Sequence, residues 1–336
     1  MCGICGFTGY RQDQKTVIER MMKAIEHRGP DSEGSFCREK ITLGFRRLSI
    51  IDLEDGQQPM ESADGNLHIV FNGEIYDYKE LRAELETFGI SFCTHSDTEV
   101  LVNTVQQYGE KALDKLRGMF GFAVWNEKEQ SLMLARDFFG IKPVYYAEID
   151  GHFVFASEIK SILVFPGYER KVNQKALEQY LSFQYSPLEE TFFKGIYKLM
   201  PGHMLLYKNG SYEIKTYFKP KLTPGQWDHK TNMAQLRSQL SEILKDSVKH
   251  HMLSDVEVGA FLSGGVDSGY LASSSGADQA FTVGFDEGDR YSEVNKAAKV
   301  AEKASLKHHV KIISKQEFWD ALPDVMYHMD EPLGDA

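Results

Sequence analysis

The chain has 336 residues, 42% of them hydrophobic and 26% charged, with a formal net charge of −11. That is enough chain for two globular domains, and it is too acidic for unspecific binding to nucleic acid or to an anionic membrane surface. No run approaches the roughly 20 apolar residues of a membrane span, the N-terminus lacks a signal-peptide pattern, and four cysteines in a chain of this length make no disulfide framework. The expectation is a cytoplasmic protein with reduced thiols and with neither a nucleic-acid nor a membrane partner.

The opening MCGICGF sets Cys2 and Cys5 in a Gly-rich stretch. Three readings compete there: a redox or zinc pair, a packed core strand, and an N-terminal nucleophile unmasked when Met1 is removed. A redox pair should open a helix, but GFTGYRQ after Cys5 reads as strand then turn, and a zinc site needs two more close ligands. Next, KTVIERMMKAIEHRG puts Val17, Met21, Met22 and Ile25 on one helical face, with Gly29 as its stop. YKELRAELETFG repeats the period with Leu81, Leu85 and Phe88, and Ser96 three residues before Glu99 predicts a capping box. Between and beyond these helices, LHIVFNG, GMFGFAVWN, SLMLARD, KPVYYAE and HFVFASE read as strands. HMLLYKNGSYEIKTYF reads as a hairpin turning at Asn209-Gly210. Asn72-Gly73 alone would also predict a hairpin turn.

A polar, turn-rich stretch predicts a linker over residues 221–231, separating a first domain (2–220) from a second (232–336). After it, helices and apolar strands alternate, which implies a parallel, doubly wound sheet. In FLSGGVDSGYLA a strand runs into Ser263-Gly264-Gly265 and a helix starts near Asp267-Ser268. Two glycines let successive N–H groups line one concavity, and the helix N-terminus adds its positive end, which together suit a phosphate. Neither a Walker loop nor G-x-G-x-x-G is present.

SGGVDS resembles the pyrophosphate loop of the ATP pyrophosphatases. HRGPDSEG, FRRLSIIDL, FNGEIYDY, THSDTEVL, RGMFGFAVW and LARDFFGIKPVYYA, in that order, are similar to a class II glutamine amidotransferase domain of the N-terminal-nucleophile hydrolases. Together they resemble the glutamine-hydrolysing asparagine synthetase family across essentially the whole chain. The resemblance implies an α+β αββα sandwich, then an α/β domain with a parallel sheet. It implies that ATP with Mg²⁺ adenylates the β-carboxylate of aspartate, that ammonia from glutamine displaces AMP, and that a homodimer is the expected assembly. Cys2 becomes the nucleophile, with Asn72 and Gly73 as oxyanion donors. Arg47, Leu48, Ser49, Ile50, Ile51, Glu74 and Asp97 bind glutamine, and Arg47 is preferred over Arg46 because it adjoins Leu48. Leu262, Ser263, Gly264, Gly265, Asp267, Ser268 and Val283 bind ATP, while the metal ligands stay unassigned. His27 and Arg28 are expected to brace loops. ARDFFGIKPVYY and FASEIKSIL are expected at or near the interdomain interface.

Three departures from the family stand out. Gly269 follows Ser268 where a second serine is usual, and the segment from Gly269 to Ala280 is short. The sequence ends at HMDEPLGDA, before the family's acidic, Gly-rich motif, so it is expected to be the front of a longer chain. Two rival functions remain: an amidotransferase acting on a cell-wall peptide or secondary-metabolite carboxylate, and a non-catalytic glutamine or nucleotide sensor.

Overall fold

The computed structural model describes residues 1–222, 232–286, 292–332 and 334. It divides into two compact units, Met1–Pro220 with Met329–Ala336, and Lys221–His328. Of the expected linker, residues 223–231 lie outside the described residues. Among the described residues no helix is long and apolar enough to cross a membrane.

The first unit runs β1 (Gly3–Thr8), α1 (Gln14–Ala24), β2 (Ser32–Cys37), β3 (Ile41–Arg47), β4 (Met60–Glu61), β5 (Leu67–Ile75), α2 (Tyr78–Thr87), α3 (Asp97–Tyr108), β6 (Gly118–Asn126), β7 (Ser131–Arg136), β8 (Tyr145–Ile149), β9 (His152–Ala156), α4 (Ile159–Leu163), α5 (Gln174–Phe183), β10 (Ile196–Lys198), β11 (His203–Lys208) and β12 (Ser211–Thr216). Two sheets form, in the orders β10-β8-β9-β1-β3-β2 and β12-β11-β7-β6-β5-β4. The period-2 alternation of these strands sorts their side chains into three apolar layers. Phe153 and Phe155 face between the sheets with Ile4, Phe45, Val70 and Trp125. Their neighbours Val154 and Ala156 face outward, with Cys5 and Phe7, onto Ile18, Met21 and Ile162 of α1 and α4. On the other side Ile69, Phe71 and Phe122 meet Leu81, Leu85 and Leu101 of α2 and α3. The result is a helix–sheet–sheet–helix sandwich, in which burying a ring such as that of Phe155 contributes about 1.5–3 kcal/mol.

Local differences from the sequence reading have simple causes. Helix α1 stops at Ala24 and continues as a single 3₁₀ turn over Glu26–Arg28, before Gly29. Phe88 falls just past the end of α2 and is 54% exposed. The box at α3 is half made: Ser96 accepts from the Thr98 N–H, but Glu99 accepts from the N–H groups of Cys93 and Thr94 instead. Asn209-Gly210 does turn the β11–β12 hairpin, with φ of 53° and 79°. Asn72-Gly73 does not turn; both residues lie inside β5, paired with Gly121 and Phe120 of β6.

The second unit contains α6 (Met233–His251), β13 (Ala260–Phe261), α7 (Val266–Ser274), β14 (Gln279–Phe285), α8 (Val294–Lys303), β15 (Lys307–Ile313) and α9 (Lys315–Met329, whose last residue counts with the first unit). Its sheet is parallel, in the order β13-β14-β15. Leu262, Ala272, Ala280, Ala297 and Ala301 form its core, so small residues let α7 and α8 approach one face closely. The other face carries Phe281, Val283 and Phe285, all exposed. Among the described residues the sheet is therefore covered on one face, not wound on both.

Candidate active site

Strand alternation decides which cysteine is available. Ile4 and Cys2 share the side of β1 that faces between the sheets, and Cys2 packs at the edge of that layer. Cys5, three residues on, points the opposite way, fully buried against α1, where burial pushes its thiol up to about 12. The two sulfurs share no face, and no group of metal-binding side chains forms among the described residues; the paired-cysteine reading is discarded. Cys2 is partly buried, its thiol 3.5 Å from the Leu48 carbonyl to which it donates, and the Leu48 N–H lies 3.4 Å from its sulfur. Burial pushes this thiol above its ordinary value, opposed by the hydrogen bond at Leu48. Arg28 Nε holds the Cys2 carbonyl at 2.9 Å, and both Arg28 and His27 bind Glu158, at 2.7 and 2.9 Å. These two residues thus brace the strand that carries the thiol.

The same alternation separates two arginines on β3. Arg46 turns outward to the Gly29 carbonyl and to Glu26 and Glu33. Arg47, on the side of Phe45, lines a cavity of about 190 Å³ with Cys2, smaller than the roughly 300–1,000 Å³ of drug-sized pockets and suited to an amino acid. Its guanidinium donates to the carbonyls of Asp52 and Leu53, and so it also fixes the loop after β3. From that loop Leu48, Ile50 and Ile51 reach the cavity wall. Ser49 does not; its N–H donates to Asp31 at 2.8 Å.

On β5, residues 68, 70 and 72 face between the sheets, and this places Asn72 opposite Cys2 in the same cavity. Asn72 is 1% exposed, and its amide nitrogen is buried with no hydrogen-bond partner among the described residues. Buried donors are nearly always paired, so this one marks a place for an acceptor. Gly73 must be glycine: a Cβ there would stand 2.2 Å from the Met119 carbonyl oxygen. Glu74 and Asp97 complete the polar wall. Asp97, in the first turn of α3, is 5% exposed and accepts the Ile75 N–H at 3.0 Å. Burial, reinforced by the charge of Glu74, pushes it up to about 7.

Sequence reasoning did not assign four polar wall residues to the site: Gln58, Ser96, Thr98 and Lys142. Gln58 anchors β5 by accepting the Phe71 N–H at 2.6 Å and donating to Thr98; nothing in the local sequence marks it. Lys142, inside the motif LARDFFGIKPVYYA, lines the Cys2 cavity, 5% exposed, with its ammonium 3.2 Å from the Met1 sulfur. Burial lowers its pKa. No histidine lines this cavity among the described residues.

In the second unit the SGGVDS loop leaves the C-terminal end of β13. Gly264 has φ of +78°, and a Cβ there would meet the Ala297 nitrogen at 2.7 Å, so only glycine lets the loop lie against α8. Gly265 caps α7, with Asp267 in its first turn. The Ser263 and Ser268 hydroxyls are 2.9 Å apart. A Cβ on Gly265 would project toward both, at 3.4 and 3.9 Å; its absence keeps that cradle open. Val283 is 55% exposed on β14. Leu262 places its side chain in the core and donates its N–H to the Phe281 carbonyl at 2.9 Å, beneath the loop.

Residues 1–218 match a family described as glutamine amidotransferase domain, and residues 239–336 match one described as asparagine synthase. Asparagine synthetase (glutamine-hydrolysing) 1 of Bacillus subtilis is 43% identical over 99% of this chain and 54% of its own length. A putative asparagine synthetase (glutamine-hydrolysing) 2 of Methanocaldococcus jannaschii is 33% identical over 100% of this chain and 69% of its own. The chain thus spans about half the length of the Bacillus relative. The solved structure of an allosteric regulatory enzyme of purine biosynthesis shares the fold, with a TM-score of 0.52 at 16% identity over 93% of this chain and 80% of that one. The sandwich is accordingly that of a glutamine amidotransferase domain. The order of the two family matches, with 43% identity to one relative across nearly the whole chain, makes this protein a member of the glutamine-hydrolysing asparagine synthetase family.

Proposed function

We propose that the first unit hydrolyses glutamine through Cys2, and that the full protein transfers the ammonia to the β-carboxylate of aspartate activated by ATP. The observation that carries the reading is one small cavity holding a thiol, a buried amide donor with no partner among the described residues, two basic side chains (Arg47 and Lys142) and two carboxylates. That set complements glutamine, which offers an amide carbonyl, a carboxylate and an ammonium.

The chemistry follows from these groups. Loss of Met1 exposes the Cys2 α-amine, whose pKa near 8 suits it to take the proton of the adjacent thiol. The thiolate adds to the amide carbon; Asn72 and the Gly73 N–H receive the oxyanion. The amine then returns the proton to nitrogen, ammonia leaves, and water cleaves the thioester to glutamate. Arg47 receives the glutamine carboxylate in a two-pronged grip, while Asp97 and Glu74 face its ammonium. Ammonia displaces AMP from an aspartyl adenylate formed when the carboxylate attacks the α-phosphorus of ATP and pyrophosphate leaves. Ser263, Gly264, Gly265 and Ser268 would cradle the phosphates with backbone N–H groups and hydroxyls. The Asp267 carboxylate in the first turn of α7 would be the protein group to hold Mg²⁺ with those phosphates, and the ion would supply neutralising charge.

The test is incubation of the full-length protein with ATP, glutamine and single carboxylate acceptors. Aspartate-dependent formation of asparagine, AMP and pyrophosphate is expected. Pyrophosphate release with another carboxylate but not with aspartate would reassign the acceptor, and release with none would defeat the synthetase reading.

Binding of glutamine should depend on pH through Asp97. With its carboxyl near pH 7 in the empty site and ionised when facing an ammonium, affinity should rise as pH climbs to 7 and level above it. At one pH unit below, the apparent affinity should be about tenfold weaker. Calorimetric titration of the Cys2→Ala protein checks this, and Asp97→Asn should flatten the profile. Stability of the empty first unit should run the other way: a raised carboxyl favours folding at low pH, and that contribution is lost as pH rises from about 4 toward 7.

A further inference from the structure

Among residues that do not line the Cys2 cavity, a buried file of alternating charges reaches the Cys2 carbonyl. Arg28 Nε donates to the Cys2 carbonyl at 2.9 Å, and Arg28 also pairs with Glu158 at 2.7 Å. Lys160 donates to the other oxygen of Glu158, and its ammonium pairs with Asp330 at 3.1 Å. The Lys160 backbone N–H donates to the second Asp330 oxygen at 3.3 Å. The side chains of Arg28, Glu158, Lys160 and Asp330 are each less than a tenth exposed. Neighbouring Glu331 makes a separate contact, accepting the Phe192 N–H at 2.9 Å.

Asp330 follows directly on α9, at a left-handed φ of 60°, within the asparagine synthase match (239–336), yet the segment from Met329 onward packs as part of the first unit. A carboxylate from the synthetase sequence therefore closes a charge chain that ends on the nucleophile's own carbonyl. The charges in the file are buried and share partners, with Lys160 holding both Glu158 and Asp330, so a change at Asp330 shifts Lys160 against Glu158 and the pairs move together.

We propose that Asp330 is a positioning residue for glutamine hydrolysis, setting the Cys2 backbone through Lys160, Glu158 and Arg28; this rests on the glutaminase reading above. Because the file touches the Cys2 carbonyl and none of its members lines the cavity, it governs where the thiol and the α-amine stand and leaves the groups that grip glutamine in place. Small displacements of reacting groups are costly in rate, so the effect falls on kcat.

The experiment measures glutamate release by the chain and by Asp330→Asn, which removes the charge and tolerates positive φ. The expected result is a fall in kcat of about tenfold with KM within about twofold. Glu331→Gln, which alters the adjacent contact alone, should keep the original kcat. Asp330→Glu, whose carboxylate can still reach Lys160, should recover most of the rate. Unchanged kcat in Asp330→Asn, or an equal loss in Glu331→Gln, would overturn the proposal. If Asp330→Asn does not fold, Asp330→Gly is assayed against the same two outcomes. The unaltered chain tests the parent reading by itself: glutamate release from it, lost in Cys2→Ala, upholds hydrolysis whatever the Asp330 variants do, and no release removes both.

Discussion

Cys2→Ala should abolish glutamate release from glutamine while leaving synthesis driven by added ammonia intact in the full-length protein. The thiol is the group in the cavity that can form a covalent bond to the amide carbon, and among the described residues no histidine or second thiol lines the wall to replace it. Its removal takes away the attacking atom without touching the Ser263–Ser268 loop, so the two half-reactions should separate. Cys5→Ala is the control. That residue is buried against α1 on the opposite face of β1, so its loss should cost stability, about 1 kcal/mol, and leave turnover alone. The accompanying measurement is intact mass: active protein should begin at Cys2, and full activity with Met1 retained would rule out the amine as base.

Asn72→Ala should lower kcat for glutamine hydrolysis by about 10²–10³, or roughly 3–4 kcal/mol of transition-state stabilisation, with a small change in KM. Its effect on folding should be slight. An unpaired buried donor carries a penalty of about 1–3 kcal/mol, and the substitution relieves it while giving up some packing. A residue that only shaped a strand would behave differently, losing stability and rate together. Steady-state kinetics alongside thermal unfolding distinguishes these cases. A thermal midpoint that falls sharply while kcat holds would remove Asn72 from the oxyanion role.

Much of the fold is legible because its strands alternate cleanly. The runs around Ile69, Phe122, Leu134 and Phe155 each read as strands, and each is one. Where local signals misled, tertiary packing had overruled them. Asn72-Gly73 carries the strongest two-residue turn signature, yet pairing with β6 holds it extended, because the cavity needs a side chain and a small backbone there. Glu99 has the spacing of a capping box, but the N–H groups of Cys93 and Thr94 compete for it. In the site, Arg47 could be preferred to Arg46 through family resemblance, and strand parity now supplies a physical reason. Gln58 and Lys142 were invisible for the opposite reason: each reaches the cavity through long-range folding that no local period records. The pairing of Lys160 with Asp330 likewise spans 170 positions.

The placement of β1 has a consequence for synthesis of the chain. This strand sits in the interior of its sheet, between β3 and β9, with Cys5 opposite both Gly44 and Ala156. Its second neighbour cannot exist until some 150 residues later, which at ribosomal speeds of about 5–20 residues per second is a delay on the order of ten seconds. Throughout that interval the amino terminus has no finished sheet to enter, and an aminopeptidase can reach it. Once β9 docks, Met1 becomes part of the cavity wall beside Lys142. In the fold Met1 stays 54% exposed, so on the proposed mechanism trimming can follow folding as well as precede it, and a chain that keeps Met1 carries that residue in the wall where the Cys2 amine should stand.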